Sequence, residues 1–196
     1  MNKSGLILLL TGFSFHSYAA VSSEQLVKAA IERTHKNVSY DGTYFSIPYP
    51  GGDIPANKGV CTDVIIRAYR KTGIDLQQKV HEDMDENFQR YPSRRIWGLR
   101  HTDKNIDHRR VPNLRVFFSR FGLSLSIKKK PQYYKPGDIV TWMLPGNLPH
   151  IGIVINQRSA DNKRPMIVHN IGAGPEIDDM LFNYKITGHY RYTGKQ

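Results

Sequence analysis

The spacing of apolar residues changes period part-way along the chain, and that change limits the possible folds more than any other feature. Up to about residue 121 the apolar positions recur at helical intervals. Ser22 opens S-S-E-Q, a capping box with Gln25, and Leu26, Val27, Ala30 and Ile31 follow at helical spacing, so 23–35 is predicted as an amphipathic helix. CTDVIIRAYRK is predicted as a second helix, with Val64, Ile65, Ala68 and Tyr69 as its buried face and Gly73 as its stop. After Pro112, Leu114, Phe117, Phe118 and Phe121 form one apolar stripe. From residue 138 the period becomes two. DIVTWM (138–143), HIGIVIN (150–156), PMIVHN (165–170) and KITGHYRY (185–192) are rich in β-branched residues, and Pro136-Gly137 and Pro145-Gly146 mark turns. Helices first and an antiparallel meander second predict an α+β fold, with N-terminal helices packed on an antiparallel sheet.

Two stretches fall outside these patterns. SYDGTYFSIPYPGGDIPANKG, before the second helix, is dense in Gly and Pro and is expected to be irregular. Residues 80–120 are polar and mixed, and a helical insertion is expected there, with Trp97 in the core. The length of 196 residues suits one domain, and 39% hydrophobic with 23% charged residues excludes wholesale disorder.

The N-terminus has the layout of a secretory signal peptide. Lys3 is followed by the apolar run Gly5 to Phe13, and Ser17-Tyr18-Ala19 offers small residues at a cleavage site. Residues 1–19 are therefore expected to be a signal peptide and 20–196 a single domain exported to the periplasm of a Gram-negative bacterium. No Cys follows the apolar run, and no later run approaches the ~18 apolar residues of a membrane span, so neither a lipid anchor nor stable membrane insertion is expected. The formal charge of +11 favours anionic partners. Export turns that preference away from nucleic acid and towards acidic cell-wall material.

Cys61 is the single cysteine, so it has no partner for an intramolecular disulfide. It stands where a Gly-rich loop meets a helix start, and the unsatisfied N–H groups and helix dipole there favour a thiolate. Asp63, in the same turn, opposes that effect. A nucleophile needs a base. His150 opens a strand on which it shares a face with Gly152 and Val154, opposite Ile151, Ile153 and Ile155, and Gly152 leaves room beside it. His169 lies on the next predicted strand, ~4.8 Å away, placed to orient His150.

These residues resemble a known family. A Gly-rich loop, a Cys opening a helix, PGDIVTW (136–142) and then HIGIVIN (150–156) are similar to the NlpC-type papain-like cysteine hydrolases, which cleave amide bonds of bacterial cell-wall peptides. The resemblance covers about residues 36–80 and 131–192. CTDVIIRAYRKTGIDL, NIDHRRVPNL and the ending GHYRY resemble, more closely, a bacterial branch of exported proteins known as a domain of unknown function. The resemblance implies a papain-like fold, a monomer without cofactor or metal, and peptidoglycan or its fragments as substrate. It implies Cys61 as nucleophile, His150 as base and His169 as orienting residue of a Cys-His-His triad. The usual Asp-Cys-Ser is here Val60-Cys61-Thr62, with Asp63 two residues after the Cys. In such enzymes a tyrosine hydroxyl before the Cys loop helps bind the oxyanion; Tyr40, Tyr44 and Tyr49 qualify, with Tyr49 nearest in sequence. Asp63 and Arg109 join Tyr44 and Tyr49 as candidates beside the substrate. For Asp107-His108-Arg109-Arg110 a buried salt-bridge motif is the first reading and carboxylate binding the second.

Asp138 is expected to be a turn acceptor, and His189 to be strand surface. Eight histidines invite a metal, but no H-E-x-x-H or comparable zinc spacing occurs. The sequence thus favours a cysteine amidase or endopeptidase. An acyltransferase or thioesterase using the same Cys-His pair, and a non-catalytic cell-wall-binding protein, are the alternatives.

Overall fold

The computed structural model describes residues 21–194, so the expected signal peptide lies outside the described residues. The first helix, α1 (Ser23–Thr34), starts at the predicted capping box: Ser22 Oγ accepts the Gln25 N–H, and the Gln25 side chain accepts the Ser22 N–H. The Gly- and Pro-rich stretch is irregular except for one short parallel ladder, in which β1 (Ser39–Tyr40) pairs with β2 (Lys58–Gly59). The second helix, α2 (Cys61–Lys71), begins at Cys61 itself. Arg67, one face round, ties the loop to this helix, reaching the Asp53 carboxylate and the carbonyls of Ile54, Pro55 and Lys58.

The stretch 80–120 is helical in pieces. It holds most of α3 (Leu76–Asn87), a short α4 (Ser93–Trp97), single 3-10 turns, and α5 (Val111–Phe121) with Pro112 in its first turn. The stripe on α5 packs as expected: Phe117 and Phe118 meet Tyr192, and Phe118 also meets Tyr69. Trp97 departs from expectation. It is 39% exposed, with the Arg110 guanidinium 4.1 Å from its ring centre.

Six strands form one antiparallel sheet: β3 (Leu123–Ser124), β4 (Ile139–Leu144), β5 (Leu148–Arg158), β6 (Pro165–Asn170), β7 (Pro175–Asp178) and β8 (Lys185–Arg191), in the order β3-β8-β4-β5-β6-β7. The α+β fold is as the change of period predicts, but the sheet is not a simple meander. β8 returns between β3 and β4 instead of adding to the far edge. The segment between β7 and β8 makes that return across one face of the sheet, where Met180 and Leu181 are buried and Trp142 Nε1 donates to the Leu181 carbonyl. The other face carries the helices. Ile151, Ile153 and Ile155 pack there with Leu26, Ala30, Val64 and Ile65, while Val154, Val140 and Trp142 line the face under Met180. Alternation along β5 thus divides two apolar clusters, as period-two spacing requires.

Candidate active site

The helix start that carries Cys61 is built from charge. Val60 has no side chain that can cap α2, and the Asp63 carboxylate takes the Val60 N–H at 2.7 Å instead. Arg109 holds that carboxylate with two contacts, Nε to Oδ1 at 3.0 Å and Nη2 to Oδ2 at 3.1 Å. Its remaining donors reach the carbonyls of Thr43 and Asp41, and the Arg109 carbonyl accepts the Thr62 hydroxyl. Both ion-pair partners are buried. Arg109 and Asp63 are therefore corrected from substrate-side candidates to a buried clamp, since their polar atoms are spent on each other and on the backbone. This is the salt-bridge reading of the Asp107–Arg110 motif.

Cys61 belongs to the helix-side cluster and is only 4% exposed. His150 and His169, by alternation, project towards the opposite face. A fully paired sheet would separate them. The β5–β6 ladder runs from Ile153–Val168 to Arg158–Pro165, with a shift of register between Val154 and Arg158, and stops short of His150 and His169. The Gly59–Cys61 turn sits beside the end of β6. Asn170 Nδ2, from the end of β6, donates to the Gly59 carbonyl at 3.4 Å, and the Ile151 amide, from β5, acts on the Cys61 sulfur. This is the influence on the sulfur from the strand that carries His150.

The two imidazoles meet directly. His150 Nε2 and His169 Nδ1 are 3.1 Å apart, and the rings stand at 88°. Gly152 makes this possible, since a Cβ there would come within 2.6 Å of Ile167 Cγ2 and 3.3 Å of His169 Cβ. On the far side of His169, Nε2 points to the Asp178 carboxylate at 3.7 Å. A carboxylate favours a proton on that nitrogen. At 3.7 Å this is an ion-pair distance and not a hydrogen bond; a proton held on Nε2 would make His169 Nδ1 the acceptor and His150 Nε2 the donor, and leave the His150 Nδ1 lone pair unused. Among the described residues neither His150 Nδ1 nor the Cys61 sulfur has a side-chain hydrogen-bond partner, and no hydrogen bond joins them. Asp178 was not singled out from sequence. Only the β6–β7 register, which sets His169 opposite Glu176 and Asp178 two residues on, brings it near.

Burial decides the ionisation of the site. It pushes the Cys61 thiol up to about 12; the Asp63 charge adds to the rise, and the amides of Ile151, Thr62 and Cys61 oppose it. Burial, with His169 adding to it, lowers His150 to about 3, and burial also lowers His169. The thiolate expected from the helix start is thus corrected: desolvation outweighs the helix terminus, and at neutral pH both members are uncharged.

The tyrosines sort differently in space than in sequence. Tyr49 packs edge-on against His81. The Tyr44 hydroxyl is held by Asp103 and Asn105. Tyr40 pairs with Gly59 across the β1–β2 ladder, and the Cys61 and Asp63 charges add to the effect of burial in raising its hydroxyl. Of the three tyrosines, Tyr40 is the one whose hydroxyl feels Cys61, and the residue is 48% exposed. His189 is corrected from strand surface to buried: its Nε2 meets Asp138 Oδ2 at 2.8 Å, its Nδ1 faces the Ser126 carbonyl, and Arg191 completes the cluster. Asp138 is the expected turn acceptor, taking the Lys135 N–H. Among the described residues no group of three His, Cys, Asp or Glu is arranged to hold a metal ion, and no helix is long and apolar enough to cross a membrane.

A family model described as a domain of unknown function, DUF1287, matches residues 27–192. The chain belongs to this family. The DUF1287 chain is also 43% identical to Uncharacterized protein YijF of Escherichia coli (strain K12) over 199 residues, covering 95% of this chain and 96% of that protein. A solved structure described as similar to a lipoprotein of the NLP/P60 family, from Staphylococcus aureus subsp. aureus Mu50, aligns with 93% of the DUF1287 chain at 13% identity and a TM-score of 0.43. This chain covers 46% of that one, just under half its length. So distant a likeness carries no argument about function.

Proposed function

We propose that the protein is an exported cysteine hydrolase acting on amide bonds of peptidoglycan stem peptides. The observation that carries this reading is the contact of the histidine pair. His150 meets His169 through Nε2, which leaves Nδ1 as the nitrogen to serve as base, on the strand whose next amide favours the Cys61 thiolate. The motif resemblance and the +11 charge, which suits carboxylate-bearing cell-wall material, support it. In this reading Cys61 Sγ bonds to the amide carbonyl carbon while His150 Nδ1 takes the thiol proton. The Cys61 N–H and the Tyr40 hydroxyl face the developing oxyanion. The imidazolium gives its proton to the leaving amine as the C–N bond breaks, leaving a thioester. Water, deprotonated by His150, then releases the acid and the thiol. The resting pair is neutral, so proton loss accompanies attack.

A second reading, a cell-wall-binding protein without catalysis, is favoured by one observation, the burial of Cys61. One experiment separates them. Purified sacculi are incubated with wild type, Cys61→Ala and Cys61→Ser, and soluble products are weighed by mass spectrometry. Release by wild type alone supports the hydrolase, and the product masses name the bond. Equal release, or none, from all three overturns it.

A further inference from the structure

A large cleft, whose lining residues do not include Cys61, lies between α4, α5 and the β4–β5 turn, with a volume of about 1290 Å³. That exceeds the ~300–1,000 Å³ of a drug-sized site and leaves room for several residues of a chain. Five arginines line it: Arg90, Arg94, Arg95, Arg115 and Arg120. No Asp or Glu lines it. Among the described residues only Arg120 has a carboxylate partner, Asp83. Arg115 has one Nη on the Thr187 carbonyl, and its buried Nε has no partner. Unpaired like charges gathered in one concavity repel each other, and a bound anion relieves that cost. The floor is apolar, with Pro112, Val116 and Met143. One wall ends at Pro149, the residue before His150.

We propose that this cleft binds the carboxylate-bearing peptide part of the substrate and presents it to the Cys61–His150 site. The proposal rests on the hydrolase reading for the word substrate; the binding itself stands on the cleft. Arginine forks match carboxylates in two-point contacts, and the apolar floor suits short side chains between them. A nucleic acid strand fits less well. Of the aromatic residues that line the cleft, Tyr91 and Tyr190 are buried and Arg110 lies over the Trp97 ring, whereas strand binding uses a row of open aromatic platforms.

The test uses the Cys61→Ala chain, which leaves the ligand uncut, and calorimetric titration with a synthetic stem tetrapeptide. The same peptide with its carboxylates amidated, and inorganic polyphosphate, are the other probes. The free acid should bind about tenfold tighter than the amide, and R94Q/R95Q, two exposed positions without ion-pair partners, should abolish that difference. Equal binding of acid and amide, no binding of either, an unaffected double variant, or stronger binding of polyphosphate than of the acid each overturns the proposal. In the Cys61-intact chain the double variant should raise KM for sacculi and leave kcat unchanged. Carboxylate-dependent binding without turnover by wild type retains the cleft and rejects the hydrolase. Turnover without carboxylate preference does the reverse.

Discussion

Arg109 grips Asp63 through two N–H···O contacts of 3.0 and 3.1 Å, joining residues 46 apart in sequence and fixing the start of the helix that carries Cys61. Removing one partner of a buried pair leaves an uncompensated charge, which costs about 3–5 kcal/mol. Arg109→Ala is expected to lose that much in urea unfolding. Arg109→Lys, which keeps the charge and loses the fork, should fall between. A loss under about 1 kcal/mol for the alanine variant would show that the clamp does not hold the fold.

The thiol should be sluggish. With burial raising Cys61 from 9.0 to about 12, its thiolate fraction at neutral pH is roughly three orders of magnitude below that of an ordinary cysteine. Iodoacetamide labelling of native protein at pH 7 should be slower than in urea by about that factor, and should still be rising above pH 10. Labelling at the free-cysteine rate in the native state would contradict the burial.

Acid should unfold the protein through histidines before carboxylates. His150 and His108 are lowered to about 3 and His169 is lowered as well, in each case chiefly by burial. A base with a depressed native pKa is neutral when folded and takes a proton when unfolded. The unfolded state then binds more protons between about pH 6.5 and pH 3, so stability is full above pH 6.5 and falls as pH drops through that window, by up to about 1.4 kcal/mol per pH unit for each group. The urea midpoint should fall steadily from pH 7 to pH 5. A flat profile there would count against all three.

Asp178 should set the proton position on the histidine pair. Nitrogen-15 spectra of wild type are expected to show His150 protonated on Nε2 and bare on Nδ1 at neutral pH. Asp178→Asn should mix the tautomers of His169, and with them those of His150, without loss of fold, because Asp178 is exposed. Unchanged spectra would remove Asp178 from the chain of contacts.

Gly152→Ala tests how closely β5 and β6 approach beside the pair. The added methyl meets Ile167 Cγ2 at 2.6 Å and the Val168 carbonyl at 3.0 Å, overpacking that costs about 1–3 kcal/mol. A thermal shift within experimental error would mean that the strands separate freely.

The elements were legible where the signal is local. The Ser22 capping box, the helix opening at Cys61 and the aromatic stripe on α5 depend on residues three or four apart, and they form as read. What needed register was not legible. β8 lies beside β4 rather than at the end of the sheet, with a shift of pairing between Thr141 and Trp142, and this brings His189 to Asp138, 51 residues away. Tyr49 is nearest Cys61 in sequence, but a two-residue parallel ladder puts Tyr40 across from Gly59. The position of Cys61 could be read from Gly and helix spacing. Its ionisation could not, because desolvation depends on what packs over the helix start.

The placement of β8 also sets a timetable. This strand lies inside the sheet, pairing with the two-residue β3 on one side and β4 on the other, and the Tyr69 hydroxyl donates to the Tyr192 carbonyl just beyond it. Until residues 185–191 are available, β3 has no neighbour and β4 presents a bare edge to whatever is near. The first helices can coil early, but the sheet behind them assembles only once β8 has been made, so any cut before residue 185 takes out an inner plank and leaves a gap between the others.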